Sequence, residues 1–121
     1  MKKNIIISVL SILFSQNDVC FEIESNPNPN NSALECFSKY VNVLDCFDIY
    51  AEQNVSDEKV LHVAAVAAEL LDNDEDGIVD DINIFNSLQS NNALMPVFIY
   101  DGSPCMDNFA DYYNGDGVSA V

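Results

Sequence analysis

The chain has 121 residues, enough for one domain, and 49% of them are apolar, which supports a folded core and excludes wholesale disorder. Twenty acids face four lysines and no arginine, for a net charge of −16. Binding to phosphate backbones or to anionic membrane surfaces needs basic side chains, so nucleic acid and membrane partners are excluded, while a cation is a fitting ligand.

Met1-Lys2-Lys3 followed by the apolar run Ile5 to Phe14 reads as a secretory signal, cleaved near Ser15. The run is shorter than the ~20 apolar residues of a membrane span. The predicted localisation is therefore secreted, extracellular. Cys20 follows Asn17-Asp18-Val19, which lacks the small residues expected before a lipidated cysteine. Four cysteines, Cys20, Cys36, Cys46 and Cys105, remain after cleavage, an even number that suits disulfides and permits three pairings. Cys36 with Cys46, which bracket a strand pair, and Cys20 with Cys105 are the expected bridges. No C-x-x-C is present, which argues against a redox or zinc site. Asn30 and Asn54 each head an acceptor pattern for glycosylation.

Residues 16–35 read as an Asn/Pro-rich linker, because Pro27 and Pro29 block helix and ladder hydrogen bonding and the neighbouring Asn and Ser residues prefer turns. Residues 36–121 read as the folded domain, or as the front part of a longer one. Tyr40–Val43 and Phe47–Tyr50 are rich in β-formers and pair about a turn at Leu44-Asp45-Cys46, with Tyr40 and Tyr50 as packing residues rather than catalytic ones. Ser56 caps a helix opened by Asp57 and Glu58, and Val60, Ala64, Ala67 and Leu71 form its apolar stripe, widened by Val63, Val66 and Leu70. His62, the one histidine, lies in this helix. Paired with Glu58 one turn earlier it is a surface residue; near Glu69 it is the only candidate for a catalytic metal ligand, and without a second ligand or a nucleophile the surface reading is preferred.

The helix leads into Asp72-Asn73-Asp74-Glu75-Asp76-Gly77-Ile78-Val79-Asp80. Acids at the first, third and fifth places and a glycine at the sixth fit D-x-[DN]-x-[DN]-G. Alternating carboxylates on a curled loop share one focus, the seventh residue offers a backbone carbonyl, and the ninth a direct or water-mediated oxygen. Val79, at the eighth place, anchors the loop to a core. The predicted metal ligands are Asp72, Asp74, Asp76, Ile78, Asp80 and Asn83, and the predicted cofactor is Ca²⁺. An all-oxygen set without His or Cys disfavours Zn²⁺, and Mg²⁺ prefers a smaller, stricter octahedron. The segment resembles an EF-hand loop. It departs at the twelfth place, where Asn83 stands instead of a bidentate Glu, so the expected Kd is on the order of 10⁻⁴ to 10⁻³ M. Asp81 and Glu69 are the acids near enough in sequence to compensate.

Asp80 or Asp81 caps a second, shorter helix with Ile84, Phe85 and Leu88 on its apolar face, ending near Asn91-Asn92. Leu94 to Tyr100 reads as a strand that Pro96 confines to an edge. Asp101 to Pro104 is a turn, Phe109, Tyr112 and Tyr113 are packing residues, and Asn114-Gly115-Asp116-Gly117 is a further turn. The predicted fold class is α+β: a helix–calcium loop–helix unit packed on a few short strands.

The text around Lys39–Val43, Asp57–His62 and Leu71–Asp81 resembles a family of secreted proteins in which the phrase LDNDEDG follows a His-bearing, Ala-rich helix. The resemblance implies an extracellular, EF-hand-like calcium-loop protein. Longer members look like metallohydrolases with a second His-bearing acidic helix. Two functions follow: a secreted protein with a structural calcium loop, or the N-terminal portion of a secreted metallohydrolase-like enzyme. The first is preferred, since no full catalytic set is present, and no sequence feature names a protein partner.

Overall fold

A computed structural model describes residues 21–113. The segment read as a signal peptide, Cys20, and the turn at 114–117 lie outside them. The centre of the fold is a hairpin. Strands β2 (Lys39–Val43) and β3 (Phe47–Ala51) pair antiparallel with Val43 opposite Phe47 and Tyr40 opposite Tyr50. The turn between them carries Leu44 and Asp45 at φ 51° and 60°, and the Cys46 amide closes it on the Val43 carbonyl. Positive φ at both central residues matches the right-handed twist of the flanking strands. The Asn42 side chain accepts from the Asp45 amide at 3.1 Å and holds that conformation.

Two flanking strands complete a four-stranded sheet in the order β1-β2-β3-β4. Strand β1 (Glu24–Ser25) runs antiparallel to β2, and β4 (Leu94–Val97) parallel to β3. Pro96 sits on this outer strand, where its missing N–H costs the ladder nothing. A parallel pair needs a long crossover. Here that crossover is helix α1 (Asp57–Leu71), the acidic loop, and helix α2 (Ile82–Ser90).

The pleat divides the hydrophobic side chains between two clusters. Val41, Val43, Phe47, Ile49 and Ala51 meet Val60, Ala64 and Ala68 of α1 on one face. On the other face Tyr50 and Leu94 meet Ala33, Leu34, Phe37 and Phe109. Val41, Val43, Ile49 and Val60 are essentially inaccessible to water. The fold is thus a small α+β domain with helices on both sides of one mixed sheet.

Three expectations need correction. The first concerns the disulfides: Cys36 is bonded to Cys105, with Cα atoms 5.5 Å apart, so neither a Cys36–Cys46 nor a Cys20–Cys105 bridge forms. Cys46 instead lies in the first cluster as a buried thiol, its pKa pushed up by burial and by the nearby Asp45 and Asp48 charges. The second concerns the Asn/Pro-rich segment read as a linker. Its described part is tied to the domain: β1 joins the sheet, Ala33 and Leu34 are buried, and the Asn26 side-chain amide donates to the Leu34 and Phe37 carbonyls, each at 2.8 Å. The third concerns the stretch after Tyr100. Beyond the turn it forms helix α3 (Pro104–Tyr112), capped by Ser103 Oγ on the Met106 amide and started by a proline whose fixed φ suits a first helical position. Phe109 is buried against Phe37 and stacks on Tyr113 at 4.5 Å, whereas Tyr112 stays exposed.

The packing reading of Tyr40 and Tyr50 holds. Their rings lie 5.2 Å apart, and the Tyr50 hydroxyl accepts from Asn28. Burial, with the Asp48 carboxylate that Tyr40 donates to, pushes the Tyr40 phenol far above its ordinary range.

Candidate metal centre

The candidate site lies in the crossover between α1 and α2. Ser56 Oγ accepts from the Lys59 amide to start α1, and no Gly or Pro interrupts the helix before Asp72, whose amide still donates to the Ala68 carbonyl at 2.8 Å. From there the chain leaves the helix and curls. Glu75 and Gly77 take positive φ, 56° and 85°. Gly77 meets nothing within 4 Å, so glycine serves here through its backbone freedom rather than through lack of space. The Asp80 amide returns to the Leu71 carbonyl at 2.9 Å and closes the loop. Val79 is 8% exposed and belongs to the first hydrophobic cluster, as the eighth-place reading requires.

This closure brings four carboxylates to one place. Ligand-type oxygens of Asp72, Asp74, Asp76 and Asp80 all lie within 4.8 Å of one another. Oxygens around a single Ca²⁺ stand at 2.3–2.6 Å from it, so two of them are separated by no more than about 5 Å. The cluster therefore has the span of one coordination shell, and its all-oxygen donors could hold a hard metal ion.

Asp72 organises the group. It is 4% exposed, and its carboxylate accepts from the Gly77 amide at 2.7 Å and the Asp76 amide at 3.3 Å. Asp80 Oδ2 accepts from the Asn73 amide at 2.8 Å, and Asp76 Oδ1 from the Ile78 amide at 2.9 Å. Three of the four acids are thus aimed by the loop's own backbone. Crowding shows in their acidities. Burial disfavours the Asp72 charge, but a hydrogen bond from Asp74 and those from the Gly77 and Asp76 amides outweigh it and hold its pKa below the ordinary value. Asp74, which shares that hydrogen bond, is raised to about 6, with burial and the Asp76 and Asp80 charges adding to the shift. Carboxylates this close cannot all ionise freely unless a cation stands among them.

The other two predicted ligands, Ile78 and Asn83, bring no carboxylate to this group. Ile78 is 69% exposed. Asn83 lies in the first turn of α2, and its amide donates to Asp81 Oδ1 at 2.8 Å. Asp81 is the α2 cap, accepting also from Ile84 at 3.4 Å, and this engagement accounts for its absence from the cluster. Glu69 and His62 are exposed on α1, likewise outside it.

No protein-family model matches this chain. No curated protein and no solved structure matches it either. The site's chemistry is therefore read from its own residues.

A second feature adjoins the loop. An apolar groove of about 360 Å³ opens between α1, α2 and the sheet, walled by Phe47, Val63, Val66, Leu70, Leu88 and Met95, with His62 also lining it. Val66 and Leu70 belong to the stripe expected to face the core. They are 42% and 78% exposed, because the core line of α1 runs through Val60, Ala64 and Ala68 and turns these two outward.

Proposed function

We infer that this protein is a secreted calcium-binding domain in which one ion has a structural role. The observation that carries the reading is the convergence of the Asp72, Asp74, Asp76 and Asp80 carboxylates on one focus at the junction of α1 and α2. The Ile78 carbonyl and the Asn83 side-chain oxygen complete the proposed ligand set. The ion relieves the repulsion among the acids and fixes the angle at which α1 meets α2. Export is supported by the basic and apolar start of the chain and by the Cys36–Cys105 disulfide, a bond that persists in oxidising surroundings. Among the described residues no helix is long and apolar enough to cross a membrane. The resemblance to secreted proteins bearing the Leu71–Gly77 phrase points the same way.

Calorimetric and thermal titration test the reading. Calcium at about 100 times its Kd stabilises a domain by ~2.7 kcal/mol, which for this size raises Tm by roughly 10–20 °C. Asp76→Asn retains the acceptor used by the Ile78 amide but removes a charge, so it should keep its metal-free Tm and lose most of the calcium shift. No heat and no shift in the parent protein would reject the proposal. Zinc retained through purification would favour the metallohydrolase reading instead.

A further inference from the structure

The groove between α1, α2 and the sheet is open and apolar, and exposed acids stand near its edges. From His62 to Leu71 its α1 wall spans about 14 Å at 1.5 Å per residue, the length of two to three helical turns. The exposed Leu70 and Val66 leave apolar surface in water that no described part of the chain covers. Acids border it on several sides. Glu58 and Glu69, four residues before and seven after His62, are exposed along the outer edge of the α1 stripe. The stripe ends directly at Asp72 and the acidic loop. On the far wall Gln89, the neighbour of Leu88, donates to the Asp45 carbonyl at 3.2 Å, which brings the turn that carries the exposed Asp45 beside α2. Lys39 is bound to Asp57 at 2.7 Å, leaving Lys59 as the only other lysine among the described residues.

We propose that this groove binds a cationic amphipathic helix of a partner protein or peptide, apolar side inward and Lys/Arg side against the acidic rim. Charge complementarity decides between occupants. A second copy of this chain brings its own charge of −16 and is repelled, and so is a fatty-acid carboxylate. A basic amphipathic segment meets both requirements, apolar burial and neutralisation of the rim.

The test titrates the full chain with three synthetic helices of about five turns each: Leu/Lys, Ser/Lys and Leu/Glu, read by fluorescence anisotropy. The Leu/Lys peptide should bind at least tenfold more tightly than either other peptide and weaken as salt is raised. Val66→Ser/Leu70→Ser should reduce its affinity at least tenfold without lowering the protein's Tm, because both side chains are already exposed. Leu70→Ser alone serves as the milder variant. Equal binding of Ser/Lys would reduce the effect to bulk charge and overturn the proposal. Equal binding of Leu/Glu, no binding of Leu/Lys, or unchanged affinity in the variants would also overturn it. Sedimentation showing a parent dimer that dissociates in Leu70→Ser would assign the groove to a second copy and overturn it too.

Discussion

At the scale of single residues, Asp72 and Asp74 show how one loop sets two like groups to different tasks. Asp72 takes the backbone amides and holds its charge; Asp74, beside it, is raised to about 6. The raised group has a definite consequence for metal-free protein. A carboxyl whose pKa is higher in the folded than in the unfolded chain binds its proton preferentially in the folded state. Stability should therefore increase as pH falls from about 7 through 6 and complete that gain near 4, below which the depressed Asp72 reverses the trend. Calcium affinity should move the opposite way, falling below pH 6 as the proton competes for Asp74. Melting curves in chelator and in calcium across this range check both signs. The four acids and Gly77 were legible in the sequence because position along a tight loop dictates direction. The amide partners of Asp72 were not legible, because they depend on the φ values the loop adopts at Glu75 and Gly77.

At the scale of elements, local signals placed both crossover helices. Ser56 and Asp81 each cap a helix where a capping side chain was expected. Asp81 gives a clean separation of two roles that adjacent aspartates could share. Asp81→Ala should cost α2 about 1 kcal/mol through loss of its cap and leave the calcium-dependent Tm increment unchanged; an equivalent loss of calcium response would put Asp81 among the ligands. The turn residues Ser103-Pro104 show the limit of such signals. They open α3, yet the same pair also suits a turn, and what settles the matter is distant in sequence: Phe109 finds Phe37 and Phe98 on the same face of the sheet, with ring centroids 6.0 and 6.1 Å away. The described Asn/Pro-rich segment departs from its linker-like composition for the same reason. Its hold on the domain comes from Asn26 reaching carbonyls 8 and 11 residues away, which no local pattern encodes.

For the whole molecule, the covalent frame matters most. The alternating strand pattern gave the hairpin and its register, and Pro96 gave the edge, but cysteine spacing cannot reveal which sulfurs meet after the sheet is covered on both faces. Cys36 pairs with Cys105 across a sequence separation of 69. Closing a loop of that size stabilises a domain by about 4 kcal/mol on chain entropy alone. Cys36→Ser/Cys105→Ser should therefore lower the denaturant midpoint substantially, measured by urea unfolding followed through far-UV circular dichroism, while adding calcium should still recover stability by the same increment. The ring so closed contains β2, β3, the entire crossover and β4. A protease cutting once within the exposed residues Asn73–Ile78 would thus produce no separable fragments: the nicked chain should migrate as one species on a gel until a reductant is added, and a filled loop should be cut more slowly than an empty one.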